Sequence, residues 1–428
     1  MRIEPAAALR GDLAVPGDKS ISHRALLLGA VAEGETVVEG FGASADTLAT
    51  AEALRALGVS VEVGGDVVRV AGVGLRGLVE PDRPIDCGNA GTLMRLLPGL
   101  LVGQRGRFEL VGDDSLSRRP LERVAEPLRA MGARVEATDG HAPLLVEAGS
   151  PLRAVRWDLP VASAQVKSCV LLAGLYADEG PTSAVEPHPS RDHTERLLEA
   201  MGARVRRKAG EPAVWPVERL RPLGLAVPGD VSAAAAFVVA ATLLSGSELR
   251  LHGVGINPTR TGLLAVLERM GARIAAFNRR TVGGEPVADL EVEPAELVAA
   301  EVRPEEVPGL VDELPLFALA AGLARGESVV TGAAELRVKE SDRIESVKDA
   351  LRPLGIRIET RHDGFRVRGV PTRPKGGGTV DARGDHRIAM LGAVAGLVSR
   401  EGVELRGAES VAVSFPDFFA MLDSLALR

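Results

Sequence analysis

A chain of 428 residues, 46% hydrophobic and 25% charged, exceeds the size at which one hydrophobic core suffices, and two domains are expected. Its formal charge of −7 weighs against nucleic acid, whose phosphates a binding surface has to meet with clustered cations. The first residues, MRIEPAAALRGDL, lack the basic start and apolar run of a signal peptide, and the longest apolar stretch, residues 233–244, is too short to span a bilayer, so a cytoplasmic protein without a membrane partner is expected.

The first motif, PGDKSISHR (residues 16–24), reads as a turn running into a helix whose free N–H groups and dipole attract anions, with Lys19, Ser20 and Arg24 on its first turns. A lysine at a helix cap is also an ordinary solvated residue, so this motif gains weight only in company. GVGLRG (residues 72–77) spells a dinucleotide fingerprint but runs into LVEPDRP instead of a helix, and no nucleotide site is assigned. In CGNAGTLMR (residues 87–95), small residues let an anion approach backbone N–H groups, with Thr92 and Arg95 as further donors. SLSRRP (residues 115–120) is expected to open another helix with Arg118 and Arg119 at its positive end, where two cations are unfavourable until an anion arrives. Ser163, Gln165 and Lys167 of ASAQVKS alternate along an extended or helix-opening segment, offering donors to a ligand or a polar cap before VLLAGL. Arg191, in SRDHTE, is either a surface residue at a helix cap or a phosphate ligand.

Pro212, Pro216, Pro222 and Pro228 mark a passage that cannot be a regular helix and reads as a crossover. Beyond the first of these, LAVPGDVS (residues 225–232) repeats LAVPGDKS (residues 13–20), with Val231 where the first copy has Lys19. Asp312 and Glu313, ahead of LPLFALAAGLA, read as N-capping acids or as site residues. RVKESDR (residues 337–343) is expected to place Lys339 and Arg343 on one helical face beside Glu340, as a salt-bridge network or as an anion clamp containing one acid. GDHRIAM (residues 384–390) presents His386 and Arg387 ahead of an apolar helix. Cys87 and Cys169 lack the paired spacing of a zinc or redox site, and no metal is expected.

One phrase recurs through the chain as ALRALGVSV, PLRAMGARV, LLEAMGARV, VLERMGARI and ALRPLGIRI, its glycines at 58, 132, 202, 271 and 355. Apolar residues at helical spacing, a glycine where the helix must end in a left-handed turn, and an alternating tail predict helix, turn and strand. Polar turns precede each copy, and a sixth such turn, SVAVSFPD, has no downstream copy, giving six units of about 71 residues. The expected fold class is α/β in the α+β sense: two similar domains, each of three repeated βα units. Residues 14–227 are expected to form the first domain, and residues 1–13 with 228–428 the second.

Together, PGDKSISHR, GNAGTLMR, RRP, SAQVKS, SRDHTE, DELP, RVKESDR and GDHRIAM stand in an order that closely resembles the 5-enolpyruvylshikimate-3-phosphate synthases, over residues 13–418. The resemblance implies an inside-out barrel fold and transfer of the enolpyruvyl group of phosphoenolpyruvate to the 5-hydroxyl of shikimate 3-phosphate, without metal or organic cofactor. It implies that Lys19, Ser20, Arg24, Ser163, Ala164, Gln165, Arg191, Asp312 and Lys339 line the shikimate 3-phosphate site. Lys19, Gly91, Arg119 and Gln165 would hold the phosphate of phosphoenolpyruvate, Arg343 and Arg387 its carboxylate, with Asn89, Thr92 and His386 in support. Asp312 would take the proton of the 5-hydroxyl and Glu340, with Lys19, would protonate the enol methylene carbon. Such ligands coming from both halves imply domain closure, and the partners expected are small molecules only, with a monomer as the default.

Departures from the family pattern bear on its inhibitor glyphosate. One branch has proline where Leu96 stands and lysine where Val413 stands, while SAQVKS and SRDHTE resemble the other branch, often less sensitive. Gly91 stands where that second branch often carries alanine, so the residues assign no sensitivity. A sister transferase acting on UDP-N-acetylglucosamine generally has a loop cysteine where this chain has Asp114. RNA 3'-phosphate cyclases share related repeats but need a nucleotide and a histidine nucleophile, and a non-enzymatic relative could discard the acids that remain here as Asp312 and Glu340.

Overall fold

In a computed structural model describing all residues from Met1 to Arg428, the repeated phrase forms the helix, turn and strand its sequence predicts. Helix Ala45–Ala56, for instance, leads through Gly58 into strand Ser60–Gly64. The five glycines of the phrase have φ between +86° and +101°, the left-handed region that side chains disfavour. A sixth copy exists after all, as helix Phe418–Leu425 with strand Ala426–Leu427. Its turn lacks the glycine, which is why the pattern hid it.

The chain divides into two compact units. The amino-terminal unit comprises Gly17–Val227 with Val282–Glu285, and the carboxy-terminal unit Met1–Pro16, Pro228–Thr281 and Pro286–Arg428. Each carries three sheets, and the amino-terminal ones share one plan: a parallel pair followed by an antiparallel hairpin. Strand Gly224–Ala226 runs parallel to Glu33–Glu39, with Leu225 opposite Val38, and Glu33–Glu39 is antiparallel to Val67–Val73. In the carboxy-terminal unit, Ala8–Ala14 runs parallel to Glu248–Gly255, and Thr379–Asp381 parallel to Val403–Arg406.

Two kinds of helix serve these sheets. The phrase helices are amphipathic; Glu122–Ala130 buries Val124, Ala125, Pro127 and Leu128 and leaves the rest at the surface. The others are buried almost all round: Lys19–Ala30, Gly91–Leu101 and Ala164–Gly174 in the amino-terminal unit, and Val231–Leu243, Leu314–Leu323 and His386–Val398 in the carboxy-terminal unit. Packing this tight uses small residues: a Cβ on Gly99 would lie 2.4 Å from the carbonyl oxygen of Cys169 on the neighbouring helix. Most of the polar motifs picked out in the sequence sit at or near the N-termini of these six core helices, where free N–H groups cannot be met by the helix itself.

Candidate active site

In the amino-terminal unit, Asp18 caps helix Lys19–Ala30 by accepting from the Ile21 N–H at 2.9 Å. Lys19, one residue on, extends its Nζ to 2.8 Å from Asp46, a carboxylate almost out of solvent. Arg24 is buried and donates to Thr194 Oγ1 at 2.7 Å, Ser168 Oγ at 2.9 Å and the Ser20 carbonyl at 2.9 Å, tying the PGDKSISHR helix to the SAQVKS and SRDHTE motifs. His23 between them is fully buried beside Thr50, and burial pushes its imidazole pKa down to about 3, so it packs as a neutral ring.

Asn89, Gly91 and Arg119 form one cluster. Arg119 Nη2 donates to Asn89 Oδ1 at 2.8 Å, and a Cβ on Gly91 would lie 3.0 Å from Arg119 Nη1 and 2.7 Å from Arg95 Nη1. Two guanidinium groups therefore converge on the N-terminus of helix Gly91–Leu101, a place suited to a phosphate. Gln165 donates to Thr92 Oγ1 at 3.1 Å, Ser163 caps helix Ala164–Gly174, and Arg191 is half-buried just before helix His193–Ala200.

Arg119 departs from expectation. It does not open a helix: a short 3-10 turn, Leu116–Arg118, ends before it, and Arg119 is extended at φ −84°, ψ 141° because Pro120 follows. The helix proper starts at Glu122.

In the carboxy-terminal unit Arg343 is the centre, with its side chain 2% exposed. Its Nε lies 2.8 Å from Asp385, its Nη1 3.2 Å from Asp312 and its Nη2 2.6 Å from Glu340. Burial works against this charge, and the carboxylates of Asp385, Glu340 and Asp312 more than reverse that, holding the guanidinium above its ordinary pKa. Lys339 does not share a helical face with Arg343. The 3-10 turn Ala334–Val338 ends before it, Lys339 is extended, and Asp342 starts a new helix, Arg343–Leu351, by accepting from Ile344 and Glu345. Burial lowers the Lys339 ammonium pKa.

Neither acid ahead of helix Leu314–Leu323 caps it. Asp312 turns to Arg343, and Glu313, at the cap position, accepts the Ser232 hydroxyl instead. Arg387 is only loosely held: Nη1 is 3.4 Å from the Ser232 carbonyl and 4.0 Å from Glu313, and its buried Nε has no hydrogen-bond partner. His386 is buried at the first position of helix His386–Val398.

Sequence reasoning passed over Asp46, Asp385, Glu186 and Glu195. Asp385 lies inside GDHRIAM and was findable as the N-cap of an apolar helix, accepting from the Arg387 N–H at 2.9 Å and the Ser341 hydroxyl at 2.9 Å. One cluster has metal-like spacing: ligand atoms of Asp192, His193 and Glu285 lie within 4.8 Å of one another. Arg196, 2.9 Å from Asp192 and 3.7 Å from Glu285, already supplies a cation to these acids.

The fold is that of the enolpyruvyl transferases: the enolpyruvyl transferase NikO from Streptomyces tendae superposes with a TM-score of 0.80 at 21% identity, over 99% of this chain and 96% of that one. EPSP synthase from Acinetobacter baumannii superposes with a TM-score of 0.87 at 43% identity, over 100% of this chain and 98% of that one. The 3-phosphoshikimate 1-carboxyvinyltransferase of Acidithiobacillus ferrooxidans is 51% identical over 99% of this chain and 97% of its own length, and that of Geobacter sulfurreducens 48% identical over 99% and 98%. The family model for EPSP synthase (3-phosphoshikimate 1-carboxyvinyltransferase) matches residues 3–422, and the chain belongs to that family.

Proposed function

We propose that this chain transfers the enolpyruvyl group of phosphoenolpyruvate to the 5-hydroxyl of shikimate 3-phosphate, with anion binding concentrated in the amino-terminal unit and proton transfer in the carboxy-terminal one. The observation that carries the reading is the convergence of Asp312 and Glu340 on the single guanidinium of Arg343, at 3.2 and 2.6 Å. A buried cation lets two acids stand close together, and an arriving substrate carboxylate competes with them for its donors.

Shikimate 3-phosphate is assigned to Lys19, Ser20, Arg24, Ser163, Ala164, Gln165 and Arg191 with Asp312 and Lys339. The phosphate of phosphoenolpyruvate is assigned to Lys19, Gly91, Arg119 and Gln165, and its carboxylate to Arg343 and Arg387, with Asn89, Thr92 and His386 in support. Asp312 takes the proton of the 5-hydroxyl as its oxygen attacks C2 of phosphoenolpyruvate, while Glu340, assisted by Lys19, protonates C3. Loss of a methyl proton from the tetrahedral adduct then expels phosphate. The two substrates supply every atom and no electrons are exchanged, so the reaction needs no cofactor.

A cytoplasmic monomer acting on small molecules, with no nucleic acid or membrane partner, fits the −7 charge and the two buried free thiols. No helix is long and apolar enough to cross a membrane. The direct test is phosphate release from phosphoenolpyruvate with shikimate 3-phosphate or UDP-N-acetylglucosamine as acceptor. Release with the shikimate ester alone is expected; release with the sugar nucleotide, or with neither, would overturn the assignment.

A further inference from the structure

Three charged side chains that the reaction does not use are among the most deeply buried in the amino-terminal unit. Lys167 Nζ lies 3.1 Å from Glu186 and 2.9 Å from Glu195, and all three side chains are at most 2% exposed. The third neighbour of that ammonium is the Ser190 carbonyl, at 3.1 Å. An ammonium has three donors, and these three partners occupy them, so none remains for a ligand. Burial lowers the Lys167 pKa, but the two carboxylates outweigh it and hold the group above an ordinary lysine, so it is charged at neutral pH.

What the cluster grips is one residue. Lys167 holds the carbonyl of Ser190, and Glu186 accepts both the Ser190 N–H, at 3.2 Å, and the Ser190 hydroxyl. The next residue is Arg191. On its far side Glu195 belongs to helix His193–Ala200, whose Thr194 hydroxyl meets Ser168 at 2.7 Å. The turn carrying Arg191 is thus pinned at Ser190 and again at Thr194 and Glu195, from two consecutive residues of one core helix, Lys167 and Ser168.

We infer that Lys167, through Glu186 and Glu195, is a positioning residue for the acceptor's phosphate: it fixes the Ser190–Arg191 turn so that the Arg191 guanidinium is preset for that group. The inference rests on the reading of Arg191 as a phosphate ligand. A charged residue placed only for stability would not be coupled to acceptor affinity; a positioning residue is, and its effect must run through Arg191.

The test uses the full-length chain with Lys167→Met, Lys167→Arg, Glu195→Gln, Arg191→Gln and the Lys167→Met/Arg191→Gln double variant. Shikimate 3-phosphate affinity is measured by titration calorimetry and KM for both substrates by phosphate release. Lys167→Met is expected to weaken shikimate 3-phosphate binding about tenfold and to change KM for phosphoenolpyruvate less than about twofold. Lys167→Arg should restore part of the loss, and the double variant should bind no more weakly than Arg191→Gln alone. Glu195→Gln keeps the shape and leaves one carboxylate on the lysine; should Lys167→Met fail to fold, a loss of about threefold in Glu195→Gln, absent when Arg191 is already glutamine, carries the same information. Unchanged affinity in a folded Lys167→Met protein or in Glu195→Gln, or losses that multiply with that of Arg191→Gln, overturns the inference. Unchanged affinity in Arg191→Gln itself overturns the phosphate-ligand reading and, with it, this one.

Discussion

LAVPGDKS and LAVPGDVS start from one template and end in different chemistry. In both, the aspartate caps a buried helix: Asp18 accepts from Ile21 and Asp230 from Ser232. In the first copy the next residue is Lys19, reaching Asp46 from a partly exposed position. In the second it is Val231, buried in the core, while Asp230 takes Arg260 at 3.0 Å and the Ser232 hydroxyl goes to Glu313. The cap is common to both copies; the lysine is not, and in the second copy a buried valine takes its place. The same contrast runs through the two units. In the amino-terminal unit Arg24 and Arg119 meet hydroxyl, amide and carbonyl oxygens among their partners, and in the carboxy-terminal unit Arg343 faces three carboxylates.

The contrast breaks most visibly if the central cation is removed. Arg343→Met leaves Asp385, Glu340 and Asp312 facing one another without their shared guanidinium, and should cost about 3–5 kcal/mol in urea unfolding. A cost below about 1 kcal/mol would show that those acids do not depend on it. Val231→Lys, which restores the missing charge of the second template, buries an ammonium in the core and should destabilise by about 3 kcal/mol without creating an anion site. Tighter phosphate binding at unchanged stability would mean that the second template is a dormant copy of the first.

Arg387→Met sharpens the picture from the other side. Its loosely held guanidinium should cost under about 1 kcal/mol to remove, yet raise KM for phosphoenolpyruvate about tenfold or more. A pH profile separates Lys339 from its neighbours. Because burial lowers its pKa, its charge disappears as pH rises through a value below the roughly 10.4 of a free lysine, and kcat/KM for shikimate 3-phosphate should fall along that limb. Lys339→Arg stays charged and should move the limb upward; an identical limb in both proteins would remove Lys339 from the acceptor site.

The smallest effect is a probe of one unit alone. Cys87 and Cys169 both lie in the amino-terminal unit; burial raises both thiol pKa values, that of Cys169 to about 12. Thiol reagents at pH 8 should therefore label them only as that unit opens, and rapid labelling of native protein would contradict the packing described.

Much of the fold was legible because each repeat carries its own local physics. A helix-ending glycine and an alternating strand are read without knowing what they pack against, and five copies stood out for that reason. The sixth, lacking its glycine, did not. Local signals were also misjudged: Pro120 was visible and forces Arg119 out of a helix, and Asp342 was visible as the cap that separates Lys339 from Arg343. Of the ion-pair partners only the local one was legible, Glu340 beside Arg343. Arg343 meets Asp312 from 31 residues away and Asp385 from 42, and Lys19 meets Asp46 from 27. Such pairings are decided by how strands and core helices assemble, so the sequence displays the cations without showing which distant acids they meet.

The proposed role of Asp312 as the base is tested most directly by Asp312→Asn, measuring shikimate 3-phosphate affinity by titration and the rate of a single turnover. Affinity within about fivefold of the parent, with the turnover rate reduced about 10²- to 10⁴-fold, is the predicted result. Lost affinity with an unchanged rate constant would contradict it and leave Asp312 with a binding role alone.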